Sequence, residues 1–308
     1  MERGGHIESV HNGSLVLLDS FGQETLTIGD PSAPMYPRSA LKPLQTLAMM
    51  RMGYRGTPTH LTLASASHSG EAIHLDTVLD MLATNGLTQQ QLRNTPDLPF
   101  GTAAHTQAIE NRLQPTRLMQ NCSGKHAAML ATAHINNWDL DTYLEPQHPL
   151  QQGIAQTIQE ITGATIQGTT IDGCGAPLFR ISLTALARGF STLANTARNN
   201  PNSHEAAIFN AITSNPQYLA GEDRDTTAMM RTVPTLICKD GAEAVHVGAL
   251  ADGRAFALKI GDGSQRVRGI AAFRALELLG QDTGSLAADF GPKVLGHGQS
   301  VGAFSTTF

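Results

Sequence analysis

Strand-like segments lie near both ends of this chain, with a long helix-like section between them, and this arrangement limits the folds that are available. Near the N-terminus, residues 7–11 and 14–18 flank Asn12 and Gly13, the strongest short signal for a β-hairpin, and residues 25–28 predict a third strand. Strand patterns return at residues 232–238, 245–250 and 256–260. The sequence therefore predicts one sheet built from both ends of the chain.

The middle of the chain is predicted to be mainly helical, because apolar residues recur there at helical spacing between Gly, Pro and Asn breaks. These helices cover residues 72–85, 88–94, 123–136, 147–162, 178–194 and 205–213, and another helix is predicted at 270–279. We predict a single domain over residues 1–308 with an α/β fold of the α+β type. It has a sheet lobe from about residues 1–35 and 230–308 and a mainly helical lobe from about residues 40–225.

Composition excludes several classes of protein. With 308 residues, 41% hydrophobic and 15% charged, the chain can bury a substantial core. A net charge of −5 argues against a nucleic-acid partner, because binding to phosphates relies on excess Lys and Arg. No apolar run approaches the roughly 18 residues that span a bilayer, and the first residues lack the apolar core of a signal peptide. We expect a cytoplasmic protein without a membrane partner.

A serine and a lysine lie three residues apart near the start of the chain, in Tyr36-Pro37-Arg38-Ser39-Ala40-Leu41-Lys42-Pro43. Residues at this spacing share a helical face, so Lys42 could take the proton of Ser39 and make it a nucleophile. Pro43 supports a helix that begins near Ser39, because proline is tolerated in a first turn. The alternative is a helix cap followed by a solvated lysine.

Three other clusters combine small polar residues with glycine: Ala66-Ser67-His68-Ser69-Gly70-Glu71, Asn121-Cys122-Ser123-Gly124-Lys125-His126 and Asp172-Gly173-Cys174-Gly175-Ala176-Pro177. The first follows residues 61–64, which are predicted to form a short buried strand, and the second opens a helix. Small polar residues at the ends of buried elements can line a site. They can equally be caps and turns.

Lys259 lies in a segment where Phe256, Leu258 and Ile260 alternate with small or polar residues, as in a half-buried strand, and a glycine-rich turn follows. Such a strand can present Lys259 to a cleft. The alternative is a lysine on an edge strand that discourages aggregation.

The three cysteines are too few for a disulfide framework and favour a reducing compartment. Cys122 and Cys174 lie in glycine-flanked turns, where a backbone can approach an ion closely, and thiolates suit zinc. Ligand chemistry alone favours His126 as the third ligand, because imidazole is a common zinc donor. Cys238 lies in an apolar strand and is predicted to belong to the core.

Taken together, these motifs resemble the rhizobial-type, class 3 L-asparaginases, also called the asparaginase II family. The resemblance rests on P-R-S-A-L-K-P, A-S-H-S-G-E, N-C-S-G-K-H-A, D-G-C-G-A-P and K-I-G-D-G, in that order, from about residue 7 to 268. It implies a fold related to serine β-lactamases and penicillin-binding proteins, and we also expect a homodimer. It further implies two serine-lysine pairs, Ser39 with Lys42 and Ser67 with Lys259, near a zinc ion bound by Cys122, Lys125 and Cys174.

The expected reaction is hydrolysis of the side-chain amide of L-asparagine through a serine-bound acyl intermediate. Arg38 is a candidate for holding the substrate carboxylate, Asp172 for its amino group or for orienting a zinc ligand, and His126 for a further substrate contact. The alternatives are a glutaminase or a β-lactamase-like serine hydrolase, a zinc- or cysteine-dependent amidase, and a non-catalytic amino-acid-binding protein. The charged segment at residues 218–225 has no predicted role.

Overall fold

The structure of the protein, a computed structural model, describes all residues from 1 to 308. The strands are β1 (Glu2–Arg3), β2 (His6–Ile7), β3 (Gly13–Leu18), β4 (Glu24–Ile28), β5 (Pro34–Met35), β6 (Thr169–Ile171), β7 (Pro177–Phe179), β8 (Ile181–Ser182), β9 (Leu236–Gly241), β10 (Val245–Leu250), β11 (Ala255–Ile260), β12 (Val294–Gly296) and β13 (Gln299–Ala303). The helices are α1 (Lys42–Arg51), α2 (Pro58–Ala64), α3 (Ala72–Thr84), α4 (Thr102–Glu110), α5 (Ser123–Ile135), α6 (Pro149–Thr162), α7 (Leu183–Asn199), α8 (His204–Ser214), α9 (Pro216–Leu219), α10 (Asp225–Thr232), α11 (Arg268–Leu278) and α12 (Leu286–Phe290).

The central sheet has five antiparallel strands in the order β4-β3-β11-β10-β9. Two of its strands come from the N-terminal part of the chain and three from the C-terminal part, which confirms the predicted sheet. β9 is an edge strand. A smaller sheet, in the order β12-β13-β1-β2, brings the two chain ends together.

The predicted hairpin around Asn12 and Gly13 is wrong. β2 pairs with β1, and β3 pairs with β4 and β11. A Cβ atom at position 13 would lie 2.3 Å from the carbonyl oxygen of Lys259 on β11. Gly13 is therefore required for the close approach of two strands, and not for a two-residue turn.

Most predicted helices are present with shifted ends, but three segments differ from the prediction. Residues 61–64 belong to α2 and not to a strand, because Thr57 caps this helix and Pro58 suits its first position. Residues 88–94 contain only the short 3-10 turn Gln89–Gln91. The helix predicted from residue 178 begins at Leu183, after β7 and β8.

One buried cluster of 72 apolar residues joins the central sheet to the helices. Helix α7 packs on β3, β10 and β11, and α1 packs on α6, α8 and α5. At the other side of the sheet, β9 lies against a 3-10 turn, Arg38–Leu41, that leads into α1. No helix is both long and apolar enough to cross a membrane. The contact between β9 and the turn before α1 places Ser39 beside the edge of the sheet.

Candidate active site

A cavity of about 830 Å³ lies between the end of β9, the turn before α1, the segment after α2 and the start of α4. Only four of its 20 lining residues are hydrophobic, and the lining includes Ser39 and Ser67. Ser39 is half-buried, and Ser67 is 4% exposed. The structure thus brings two serines from separate motifs to one cavity. None of the other predicted site residues lines it.

The turn that carries Ser39 is fixed by close backbone contacts. Arg38 has φ 54°, a left-handed conformation that is unfavourable for a residue with a side chain. The end of β9 packs directly on this turn, because a Cβ atom at Gly241 would lie 2.5 Å from the carbonyl oxygen of Pro37. Strained backbone held by its surroundings is common at functional sites. The sheet edge therefore sets the position of Ser39.

Lys42 contacts Ser67 and not Ser39, its predicted partner. Its side chain is 1% exposed, and Nζ donates hydrogen bonds to the Ser67 hydroxyl at 3.0 Å and the Ala66 carbonyl at 2.5 Å. It also lies 3.0 Å from the Cys122 sulfur. The long side chain reaches these groups because α2 and α5 pack beside α1. Lys42 therefore links the second serine to the cysteine cluster.

Lys259, the predicted partner of Ser67, contacts neither serine. Its Nζ donates to the carbonyl oxygens of Glu243 at 2.8 Å and Ile260 at 3.3 Å. β11 is an interior strand, and β10 lies between it and the edge strand β9, whose end borders the cavity. Lys259 lines a different cavity, of about 340 Å³, beside the two chain ends. The predicted pair of Ser67 and Lys259 is not formed in this structure.

Lys239 on β9, a lysine outside the motifs that predicted the site, precedes Asp240 of the cavity wall. Its side chain is fully buried, and Nζ donates to the Asp240 carboxylate at 2.6 Å and the Asp240 carbonyl at 2.7 Å. Burial lowers the pKa of Lys239 to about 8. The negative charge of Asp240 raises this pKa, and the positive charge of Lys42 lowers it further. Two lysine side chains are thus buried close enough to influence each other.

Asp240 joins Lys239 to Arg224, which comes from the charged segment at residues 218–225. The Arg224 guanidinium donates to the Asp240 carboxylate at 2.8 Å and lies 4.7 Å from the centre of the Phe100 ring. Burial alone would raise the pKa of Asp240, but the charges of Lys239 and Arg224 hold it well below its usual range. Asp240, Arg224 and Phe100 all line the cavity. The segment without a predicted role therefore contributes to the cavity wall.

The three predicted metal ligands form a buried group behind Lys42. Cys122 precedes α5, Lys125 lies in the first turn of that helix, and Cys174 lies in the turn between β6 and β7. The Lys125 Nζ donates to the Cys174 sulfur at 3.1 Å. Hydrogen bonding between the two thiols raises the pKa of Cys122 to about 12 and lowers that of Cys174 well below its usual value. The charge of Lys125 also favours a thiolate at Cys174.

The donor chemistry of this group is compatible with zinc, which prefers thiolates. No three His, Cys, Asp or Glu side chains cluster as metal ligands anywhere in the structure, so a zinc site here needs the amine of Lys125 as a third ligand. His126 lies next to it in the chain. Its Nδ1 is 2.8 Å from the Tyr143 hydroxyl, and its Nε2 is buried without a partner. Burial and the charge of Lys125 hold the pKa of His126 well below its usual range.

Arg38 and Asp172, both predicted to bind substrate, form a salt bridge with each other. The Arg38 Nε lies 2.7 Å from the Asp172 carboxylate. Burial alone would raise the pKa of Asp172, but the charges of Lys125 and Arg38 hold it below its usual value. Arg38 precedes Ser39, and Asp172 lies two residues before Cys174. The salt bridge therefore connects the serine turn to the cysteine turn.

A comparison with protein families identifies the family of the chain. The family model described as L-asparaginase II matches residues 1–306. The chain belongs to the L-asparaginase II family. No curated protein was found to match the chain.

Membership of the L-asparaginase II family makes the protein an amidohydrolase that acts on a small molecule, and it confirms the resemblance drawn from the five motifs. It does not test the serine-lysine mechanism, the zinc site or the homodimer, which stay predictions.

Lys239 of this L-asparaginase II family member could have been found from the sequence. Lys239 is the first residue of a K-x-G motif, Lys239-Asp240-Gly241, at the end of a strand. Serine β-lactamases and penicillin-binding proteins combine S-x-x-K with K-T-G, so the motif was a second lysine candidate beside Lys259.

Proposed function

We propose that the protein hydrolyses the side-chain amide of L-asparagine to L-aspartate and ammonia through a serine-bound acyl intermediate. One observation carries the proposal: Ser39 and Ser67 line the same cavity, and the Lys42 amine donates a hydrogen bond to Ser67. A nucleophile, a proton relay and a lysine are the parts that such an acyl transfer needs.

In the proposed reaction, the Ser39 oxygen attacks the amide carbon of the substrate. Its proton passes to the unit formed by Lys42 and Ser67, which needs a neutral amine on Lys42. Ser67 then delivers a proton to the departing nitrogen, so that the C–N bond breaks and ammonia leaves. Water then attacks the resulting ester with the same unit as its base. The bond between the Ser39 oxygen and the acyl carbon breaks, the unit returns the proton to the Ser39 oxygen, and aspartate leaves. Ser39 is preferred as the nucleophile because the Ser67 hydroxyl oxygen already accepts a hydrogen bond from Lys42.

Lys239 takes the place of Lys259 as the second lysine of the proposal. Its buried position and its pKa of about 8, which is lowered by burial and by the charge of Lys42, support this role. Two ammonium groups buried near each other repel, and this repulsion favours loss of a proton from the pair. Lys239 would therefore help one lysine to be neutral at the working pH.

Cys122, Lys125 and Cys174 would hold a zinc ion in this proposal. When bound, the zinc would supply a Lewis-acidic contact for the amino or carboxylate end of the substrate. Lys125 must lose its proton to become a ligand, since only the free amine can coordinate. The salt bridge between Arg38 and Asp172 connects the cysteine turn to the Ser39 turn, so in this proposal the pair positions Ser39 relative to the zinc ligands.

A fold relation to serine β-lactamases and a homodimer belong to the proposal as well. The first is supported by the central sheet, in which strands from both chain ends combine with a mainly helical middle section. Molecular mass in solution, measured by light scattering, tests the second, and a monomer would contradict it.

An ammonia-release assay tests the proposed function. We expect turnover of L-asparagine, measured beside L-glutamine and a chromogenic β-lactam, with and without a chelator. Faster turnover of glutamine would show a glutaminase, and faster turnover of the β-lactam would show a β-lactamase-like hydrolase. Asparagine binding in calorimetry without ammonia release would show a non-catalytic binding protein. Ser39→Ala protein that keeps its turnover while chelation abolishes it would favour the zinc-dependent amidase.

A further inference from the structure

The turn between β9 and β10 has an unusual backbone. It consists of residues 242–244, and two of them, Glu243 and Ala244, have φ 60° and 55°. This left-handed region is unfavourable for residues with a Cβ atom, and hairpin turns normally place Gly or Asn there. Gly241, Ala242 and Glu243 line the 830 Å³ cavity. A strained turn therefore forms part of the wall beside the serines.

Two carbonyl groups of this turn, and that of the adjoining Gly241 at the end of β9, accept hydrogen bonds from outside it. The Lys259 Nζ donates to the Glu243 carbonyl at 2.8 Å, and the Gln265 side-chain amide donates to the Gly241 carbonyl at 3.1 Å. The backbone N–H of Ile260 donates to the Ala244 carbonyl at 3.1 Å. Two of these donors are side chains, so the sequence at positions 259 and 265 decides how firmly the turn is held.

The position of this turn matters for Ser39. Gly241 packs so closely on the backbone of Pro37 and Ala40 that a Cβ atom would lie 2.5 Å and 3.3 Å from their atoms. A change in the turn would therefore shift the strand end that bears on the serine turn. Small displacements of reacting groups are costly, because catalysis depends on near-attack geometry.

We propose that Lys259 is a positioning residue that holds the β9–β10 turn against the Ser39 turn through the Glu243 carbonyl. It acts as a hydrogen-bond donor and transfers no proton in the reaction. The inference rests on the proposed function, since the effect is read from asparagine turnover.

Lys259→Met tests the proposal by removing the donor while keeping an unbranched side chain of similar length. We expect kcat to fall by about 10- to 100-fold with a smaller change in KM. The pH profile of kcat should keep its shape, because no titrating catalytic group is lost. Lys293→Met, at an exposed lysine, is the matched control and should behave as wild type. Circular dichroism verifies the fold of each variant.

The double variant Lys259→Met/Glu243→Gly provides the decisive comparison. Glycine adopts the left-handed conformation readily, so the turn needs less support from Lys259. We expect the double variant to recover most of the lost kcat. A double variant no more active than Lys259→Met, a changed pH profile, or a Lys259→Met protein with wild-type kcat would overturn the proposal. Absence of asparagine turnover in the wild type would instead count against the proposed function.

Discussion

The amine of Lys42 lies 3.0 Å from the hydroxyl of Ser67, 25 residues further along the chain. Ser67 also faces the cavity that Ser39 lines, so its hydroxyl connects a buried lysine with the space where a substrate can bind. The backbone N–H of Ser67 is held by the carbonyl of Leu219 at 3.0 Å, which fixes this serine from the other side. Such a fixed hydroxyl is well placed to relay protons between a lysine and a bound substrate.

Replacement of the proposed nucleophile should abolish the two-step route. We expect Ser39→Ala to lower kcat by at least about a thousandfold, because loss of the covalent intermediate leaves only direct attack by water. The half-buried position of Ser39 makes the change tolerable for the fold. Steady-state ammonia release, with circular dichroism and thermal melting as checks, measures the effect. Near-normal turnover in folded Ser39→Ala protein would exclude the mechanism.

Lys42 and Ser67 should behave as one unit. We expect Lys42→Met and Ser67→Ala each to cost about 100-fold or more in kcat, and the double variant to cost little more than either single one. Lys42→Arg should also lose most of its activity, because a guanidinium stays protonated and cannot accept a proton. A double-mutant cycle of kcat measures the coupling. Multiplicative losses would show that the two residues act independently.

Lys239 should be required for turnover, although its amine donates hydrogen bonds to Asp240 and not to a serine. We expect Lys239→Met to lower kcat by about 100-fold, within the range for groups that assist proton transfer. Lys239→Arg, which keeps the charge but cannot become neutral, should be impaired too. The exposed Lys293→Met is again the control. If Lys239→Arg keeps wild-type kcat, its charge alone is what matters at this position.

The metal content of the purified protein tests the cysteine cluster. We expect about one zinc per chain, and its loss in Cys174→Ala, because each thiolate is one of only three proposed protein ligands. Cys238→Ala is the matched control, since Cys238 is also buried in the apolar core, but the hydrogen-bond partner of its sulfur is the Thr226 carbonyl at 3.8 Å. Elemental analysis of both variants gives the answer. Zinc retained in Cys174→Ala would place the metal elsewhere.

Stability should decrease in mild acid because of a buried histidine. Burial, together with the charge of Arg268, lowers the pKa of His246 to about 3. Between about pH 6.5 and 3 the unfolded chain therefore binds a proton at this position that the folded protein does not. As the pH falls through this window, the free energy of unfolding should therefore decrease by up to about 1.4 kcal/mol per pH unit.

Urea unfolding at pH 7.5, 6.5 and 5.5 measures this slope. His246→Gln should show a smaller slope than wild type over that range, whatever its stability at pH 7.5. His6→Gln, at an exposed histidine, should keep the wild-type slope. Equal slopes in wild type and His246→Gln would show that His246 does not contribute.

The sequence pointed to two serines that share a cavity, but it did not predict their contacts with lysines. Ser39 and Ser67 were recognised from short motifs, and the structure places both at one cavity. Their lysine partners were assigned from the spacing of Ser39 and Lys42 and from the family motifs, but in the structure Lys42 donates to Ser67 and Lys259 contacts neither serine. Sequence spacing and motifs are a weak guide to contacts, because Lys42 meets a residue 25 positions away and Lys259 lies on an interior strand of the sheet.

The sequence by itself determined the elements and the family. Helical spacing of apolar residues, strand alternation near both ends and five ordered motifs are local properties, and they predicted the α+β architecture with its sheet from both termini. Only the tertiary structure decided that Gly13 serves a close strand contact, that the edge strand β9 bears on the turn of Ser39, and that Lys239 is buried near Lys42. These relations depend on which segments pack together, and burial then sets the charge of each group. Neither the packing of distant segments nor the charge of a buried group can be read from the spacing of residues along the chain.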